Sequence, residues 1–446
     1  MVVIKSEKRI LKIVFFITLI IMLSGCVNEN SGAVPEKENV ETEIQDLKEN
    51  LTFRITWKTY SGRGETIRKI VDSFNLQNET EYNINTIDGD EDLTKIEELL
   101  RTDDVVDIYV LPYRYVQSLG NDKQLDNLTN FFNDSKDLFY PELWNLGVVD
   151  QKLFGIPWMG HSMGLIYNKD LLKKAGVNPG TITSVESLIT ACKKIEEKTD
   201  AKGFGLVGAN HNDVSWMVNQ FIYGFGGSLV SDDGTEVVIN SDASKSALEF
   251  YKNELGNYAQ NSWTEDTGLE VMEYFRKQEI AFEIQGLWGV TDIWKTGNNF
   301  ETGVIPLERI GLLPEVGPMM IALQPGLSEG KKLTAVAFIK YLISVEAQEM
   351  IMMGEYSIER DSYYPFRLPV RKDIAQSSVF DTYPEFVVFL SGFEHPSIDV
   401  PVPMWQVIKD DLYAPYLHKV MRNEISIDDF LKMIEDKGNQ ILLESN

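Results

Sequence analysis

Apolar and polar side chains alternate along Leu51-Thr52-Phe53-Arg54-Ile55-Thr56-Trp57, the period of two that sends successive residues to opposite faces of a β-strand. Tyr60-Ser61-Gly62-Arg63-Gly64 follows as a loop. Ile67, Ile70, Val71 and Phe74 then recur at three- and four-residue spacing and predict a helix with one apolar face. A second strand is predicted over 105–111. The order returns further on: Leu165-Ile166-Tyr167 reads as a strand, and Asn168 as the cap of a short helix ended by Gly176. Ser184 caps a helix whose stripe is Val185, Leu188, Ile189, Cys192 and Ile195. Residues 241–255 and 331–350 are predicted helices, the latter with Ala335, Phe338, Ile339, Leu342 and Val345 on one face. Strand–loop–helix–strand order implies α/β layers around a largely parallel sheet, with ligand-binding loops at the carboxyl ends of the strands.

The first 26 residues follow a different pattern. Lys5, Lys8, Arg9 and Lys12 precede an uncharged run of 11 residues, 13–23. That run is too short to span a bilayer comfortably and fits a secretory signal, 1–25. It ends in Leu23-Ser24-Gly25-Cys26, which resembles a prokaryotic lipobox and implies lipidation of Cys26, hence a protein anchored to the outer face of a membrane. Residues 27–50 carry seven acidic and two basic side chains with few apolar ones, so the stretch 26–50 reads as a solvated tether, with a reach of about 25–30 Å. Cys192 is the only other cysteine, which leaves the mature chain no intrachain disulfide, and its place on an apolar stripe makes it a small core side chain.

Charge narrows the partners. Lys+Arg number 42 against 68 Asp+Glu, a net −26. Removing residues 1–25, with four basic groups and one acidic, makes it −29. That charge repels nucleic acid and anionic headgroups, and neither is expected as a partner. With 43% apolar and 11% aromatic residues, the chain beyond the tether can fill two cores of ordinary domain size.

Several runs resemble a known family. They are Asp150-Gln151-Lys152-Leu153-Phe154-Gly155-Ile156-Pro157-Trp158, the stretch from Leu165 to Val177, Gly286-Leu287-Trp288, Gly303-Val304-Ile305-Pro306-Leu307, and Ala335 to Gln348. In order and spacing they resemble the extracellular solute-binding proteins of ABC transporters, in particular the maltose-binding-protein-like sugar binders, over nearly all of 51–446. The resemblance implies an α/β, two-lobe periplasmic-binding-protein-like fold with a hinge and an interlobe cleft. One lobe would hold 51–159 plus 320–353, the other 161–318 plus 356–446. It implies an extracytoplasmic monomer, not an enzyme, that captures a sugar by lobe closure and delivers it to permease subunits. Three or four aromatic rings favour a di- or oligosaccharide, while an anion, polyamine or peptide stays open as the solute.

Sugar rings offer C–H faces to aromatic side chains and hydroxyl rims to carboxylates, amides and Arg. On the first lobe the likeness points to Tyr60 and Arg63 after the first strand, and to Tyr113 and Arg114 after the 105–111 strand. At the crossover stand Trp158 and His161, the imidazole lying in a stretch where the family carries a ligand-contacting carboxylate. Trp216, Trp288 and Trp405 match aromatic stacking positions on the second lobe. Core packing competes with ligand contact at every Trp.

Other chemistry is poorly supported. His161, His211, His395 and His418 are far apart, with no Cys partner and no H-x-x-x-H spacing, so no metal is expected. Pro325 stands where a phosphate-loop glycine is needed, Leu229 breaks a G-x-G-x-x-G, and there is no G-x-S-x-G; no cofactor is implied. Two alternatives stay open: a ligand-sensing receptor for a membrane signalling partner, and a surface glycoside hydrolase using paired cleft carboxylates.

Overall fold

The structure is a computed structural model, and it describes residues 48–102, 106–296, 300–357, 361–394, 396, 397, 402 and 404–444. The signal segment, Cys26 and the tether up to residue 47 lie outside the described residues, as do Val105 and His395.

Two sheets organise the chain. The first has six strands, in the order Leu368–Pro369, Ile156–Ser162, Val316–Leu323, Ile108–Pro112, Asn50–Arg54 and Asn83–Ile87. Asn50–Arg54 runs parallel to both of its neighbours, and Val316–Leu323 lies antiparallel between Ile108–Pro112 and Ile156–Ser162. The alternation in the first strand is explained by burial: Leu51, Phe53 and Ile55 point into the core while Thr52 and Thr56 stay at its margin. Ser61 caps the helix Gly62–Gln77 by accepting a hydrogen bond from the Gly64 N–H, and Ile67, Ile70, Val71 and Phe74 form its buried face.

The second sheet has four strands, in the order Thr302–Ile305, Gly164–Asn168, Ile280–Gln285 and Lys202–Gly205. The Asn168 side chain accepts from the Asp170 and Leu171 N–H groups and starts the helix Lys169–Ala175. Gly176 ends it at φ +66°, a conformation that favours glycine. Ser184 caps the helix Val185–Lys198, and Cys192 is buried within it. The C-terminal helices Ala414–Met421 and Ile427–Glu444 pack on Asn212–Gly224 and Asp242–Glu249.

Two expectations change. The predicted helix over 331–350 is two helices, Glu329–Leu342 and Val345–Met352, because Ser344 caps the second by accepting from the Ala347 N–H. Leu368–Pro369 belongs to the first sheet, paired with Gly160 and Met159, although the resemblance put everything beyond 356 in the second lobe. Its proline suits the place: an edge strand does not need every N–H.

The chain passes from the first sheet to the second at Met163 and returns before Val316. The two passages are joined, since the Met163 N–H donates to the Glu315 carbonyl at 3.0 Å. Among the described residues no helix is long and apolar enough to cross a membrane.

Candidate functional site

A cavity of about 380 Å³ opens where these passages meet loops from both sheets. From the first sheet come Tyr113 and Arg114, just beyond the carboxyl end of Ile108–Pro112, together with Glu91 and Arg367. From the second come His211, Asp213 and Trp216, at the start of the helix after Lys202–Gly205, and Trp288, at the start of the helix after Ile280–Gln285. His161, Met163 and Glu315 supply the floor at the passages. Strand ends feeding helix starts are where open α/β sheets expose ligand-binding groups.

Glu315 organises the floor. One of its carboxylate oxygens lies 3.0 Å from His161 Nε2, and the other accepts from the Tyr113 hydroxyl at 3.2 Å. Its backbone N–H donates to Gln220 Oε1 at 3.1 Å. The His161 and Trp288 rings meet edge to face, with centroids 5.2 Å apart. Trp288 Nε1 donates to Gln285 Oε1 at 2.9 Å, which fixes the tilt of the indole.

Asp213 serves Trp216 in the same way: it accepts from the Trp216 Nε1–H at 3.3 Å and from the Gly268 N–H at 2.9 Å, and pairs with His211 at 3.1 Å. Burial is the largest influence on Asp213 and opposes ionisation. The hydrogen bonds from His211 and Gly268 outweigh it, and the carboxyl lies below its usual range. The bond to Asp213 in turn raises the His211 imidazole.

Arg114 pairs with Glu91 at 3.0 Å. The Arg367 guanidinium carbon stands 5.3 Å from the Trp288 ring centre and 5.5 Å from that of Trp57. Burial, then the neighbouring charge of Arg63, lowers its pKa to about 9, so it stays cationic at neutral pH.

The nine side chains singled out from sequence separate. Tyr113, Arg114, His161, Trp216 and Trp288 line the one cavity. Trp158 and Trp405 do not, and the geometry corrects both. Trp158 is 0% exposed, edge-on to Phe53 at 5.9 Å. It is the extra residue of a β-bulge, since Met319 faces Met159 and Met320 faces Pro157 across the ladder. Trp405 is 2% exposed and packs on Tyr413. Tyr60 is 80% exposed on the loop before its helix and lies outside the cavity lining. Arg63 stands behind Arg367, 3.4 Å from Glu355, with its guanidinium over Phe366.

Sequence reading missed Glu315, Asp213, His211 and Arg367. Glu315 had one signal, a lone acid in the Pro-Glu-Val-Gly-Pro run that leads into a buried strand. His211 and Asp213 sit in the polar Asn210-His211-Asn212-Asp213 run at a helix start, and Arg367 is a lone cation in the apolar Tyr364-Pro365-Phe366-Arg367-Leu368-Pro369 run that ends in an edge strand; none of the three had a signal. A larger cavity, about 710 Å³, is lined by Asp122, Asp150, Asp232 and Asp233 with Tyr223 and has no indole in its lining. His418 bonds the Gly208 carbonyl, and no group of three or more metal-type side chains is gathered among the described residues.

Two α/β lobes, joined where the chain passes twice between their sheets and enclosing a polar and aromatic cleft, define a two-lobe, periplasmic-binding-protein-like molecule. The profile of the bacterial extracellular solute-binding protein family matches residues 69–387, and the chain belongs to that family. A putative binding protein of Brucella abortus is 21% identical over 367 residues, which cover 80% of this chain and 85% of that one. A maltooligosaccharide ABC transporter solute-binding lipoprotein of Streptococcus pneumoniae is 24% identical over 210 residues, 45% and 47% of the two chains. Among solved structures, an ABC transporter solute-binding protein of Thermotoga lettingae bound with α-D-tagatose superposes with a TM-score of 0.74. It is 18% identical and covers 89% of this chain and 100% of its own.

Proposed function

We propose that the protein captures a sugar, a di- or oligosaccharide, in the 380 Å³ cleft and passes it unchanged to an ABC permease in the membrane to which Cys26 anchors it. One observation carries this reading: Trp216 and Trp288, held by their own hydrogen bonds on one lobe, face the same cavity as Tyr113 and Arg114 on the other. Indole faces suit the C–H faces of sugar rings, and the surrounding Asp213, Glu315, His161 and Arg114 suit the hydroxyl rim. The sugars in the names of the pneumococcal relative and the Thermotoga complex support the same class.

Because the contacts come from both lobes, solute favours the closed arrangement. Shifting a protein from 1:99 to 99:1 takes a difference of about 5.5 kcal/mol between the two states, which a pair of ring stacks and several charge-assisted hydrogen bonds can supply. A thermal-shift screen against mono-, di- and oligosaccharides tests the reading, followed by solution scattering with the best binder. At least one sugar raises the unfolding temperature and shrinks the radius of gyration, and it is recovered intact by chromatography. A flat screen, or cleavage of the bound sugar, overturns the proposal.

A further inference from the structure

The cleft's charges do not cancel in pairs. Its three carboxylates are all engaged: Glu91 by Arg114 at 3.0 Å, Asp213 by His211 at 3.1 Å, and Glu315 by His161 at 3.0 Å. Arg367 lines the same cavity and, among the described residues, has no carboxylate within 4.0 Å. Its NH1 donates to the Phe366 carbonyl at 3.0 Å, while its Nε–H is buried and has no acceptor among the described residues. Behind it, Arg63 at 3.4 Å and Lys295 at 3.2 Å share the single carboxylate of Glu355. Among the described residues, these three cations share the one carboxylate of Glu355 at this end of the cleft, and Glu91, which also acts on Arg367, is already paired with Arg114. A half-buried guanidinium is stabilised when an acceptor of opposite charge arrives.

We propose that the solute is an acidic sugar, one that carries a uronic-acid carboxylate, and that Arg367 receives that carboxylate. This inference rests on the sugar reading of the same cleft. The indoles of Trp288 and Trp57, 5.3 and 5.5 Å from the guanidinium carbon, restrain the plane of the fork. A restrained, stacked guanidinium keeps its N–H edge for in-plane, bidentate bonds to a planar acceptor. The carboxylate would then sit beside the Trp288 ring on which the sugar stacks. A phosphate ester shares the oxyanion chemistry but brings up to two charges into a cavity also lined by Glu91 and Glu315, so a single carboxylate fits better.

The test is calorimetric titration of the mature protein with digalacturonate, a neutral disaccharide, glucose 6-phosphate and acetate, repeated for Arg367→Gln and Arg367→Lys. Digalacturonate binds at least tenfold tighter than the neutral disaccharide. Arg367→Gln loses at least that factor and Arg367→Lys part of it, while unfolding temperatures match the wild type. Tighter binding of the neutral sugar, with no effect of Arg367→Gln, overturns the acidic-sugar inference and leaves the sugar reading standing. A preference for glucose 6-phosphate overturns the carboxylate assignment. Failure of every sugar, or acetate binding as well as digalacturonate, overturns both readings.

Discussion

His161 Nε2 and Glu315 Oε2 lie 3.0 Å apart and tie together the two neighbouring passages of the chain between its sheets. The other carboxylate oxygen holds the Tyr113 hydroxyl, so one acidic side chain joins these passages to the start of the helix Tyr113–Asn121 on the first lobe's side of the cleft.

Replacing Glu315 with Ala leaves a buried hydroxyl and an imidazole without their acceptor. The expected loss is about 1–3 kcal/mol of folding stability, with weaker solute binding because His161 also meets the Trp288 ring. Denaturant unfolding and calorimetry read the two effects. Unchanged values in both would show that the bond carries neither stability nor function.

The tryptophans divide into two kinds, and substitution separates them. Trp288→Ala lowers solute affinity at least tenfold with little change in unfolding temperature, since the ring is only half-buried in a cleft wall. Trp158→Ala removes a ring packed on Phe53 and destabilises by about 3–5 kcal/mol. A swap of these outcomes would contradict the placement of both residues.

The sequence carried this distinction only in part. Trp216 and Trp288 stand near the starts of helices that follow strands, and it was their match to the family's aromatic stacking positions, not a local pattern, that pointed to them. Trp158 lies in a run that reads as loop or strand with equal ease, and its inward turn comes from a bulge next to Pro157 that no periodicity reports. Trp405 opens a helical run that continues through a π-turn over Lys409–Tyr413 to Met421, and the π-turn shifts the helical period, so spacing along the run does not show which way the first residue faces. The fold was more legible because caps such as Asn168 and Ser184 act within three residues of themselves. The pairing of Glu315 with His161 spans 154 positions, and no local pattern carries that separation.

Glu283 is the clearest pH-sensitive group. It is 0% exposed in the middle of the second sheet, and neither carboxyl oxygen has a hydrogen-bond partner among the described residues. Burial, then the charge of Asp292, raises its pKa well above the ordinary carboxylate value. A carboxyl that keeps its proton longer in the fold than in the unfolded chain makes stability fall as pH climbs above that ordinary value, by about 1.4 kcal/mol per pH unit within the window. Glu283→Gln removes this dependence, and its gain in unfolding temperature over wild type is therefore larger at pH 8 than at pH 5. An equal gain at both pH values would place the titration elsewhere.

Cys192 is buried beneath the second sheet, and burial pushes its thiol pKa upward. In a soluble form with Cys26 replaced by Ser, iodoacetamide leaves the native protein unlabelled and labels it once in denaturant. Rapid labelling of the native form would mean that the helix Val185–Lys198 opens readily.

The most direct measurement is calorimetric titration of the best-binding sugar into wild type and into the Trp216→Ala, Trp288→Ala double variant. The wild type is expected to show one saturable site per chain, weakened at least a hundredfold in a double variant that still unfolds cooperatively. One-to-one binding of undiminished affinity in that variant would place the sugar somewhere other than the cleft between the lobes.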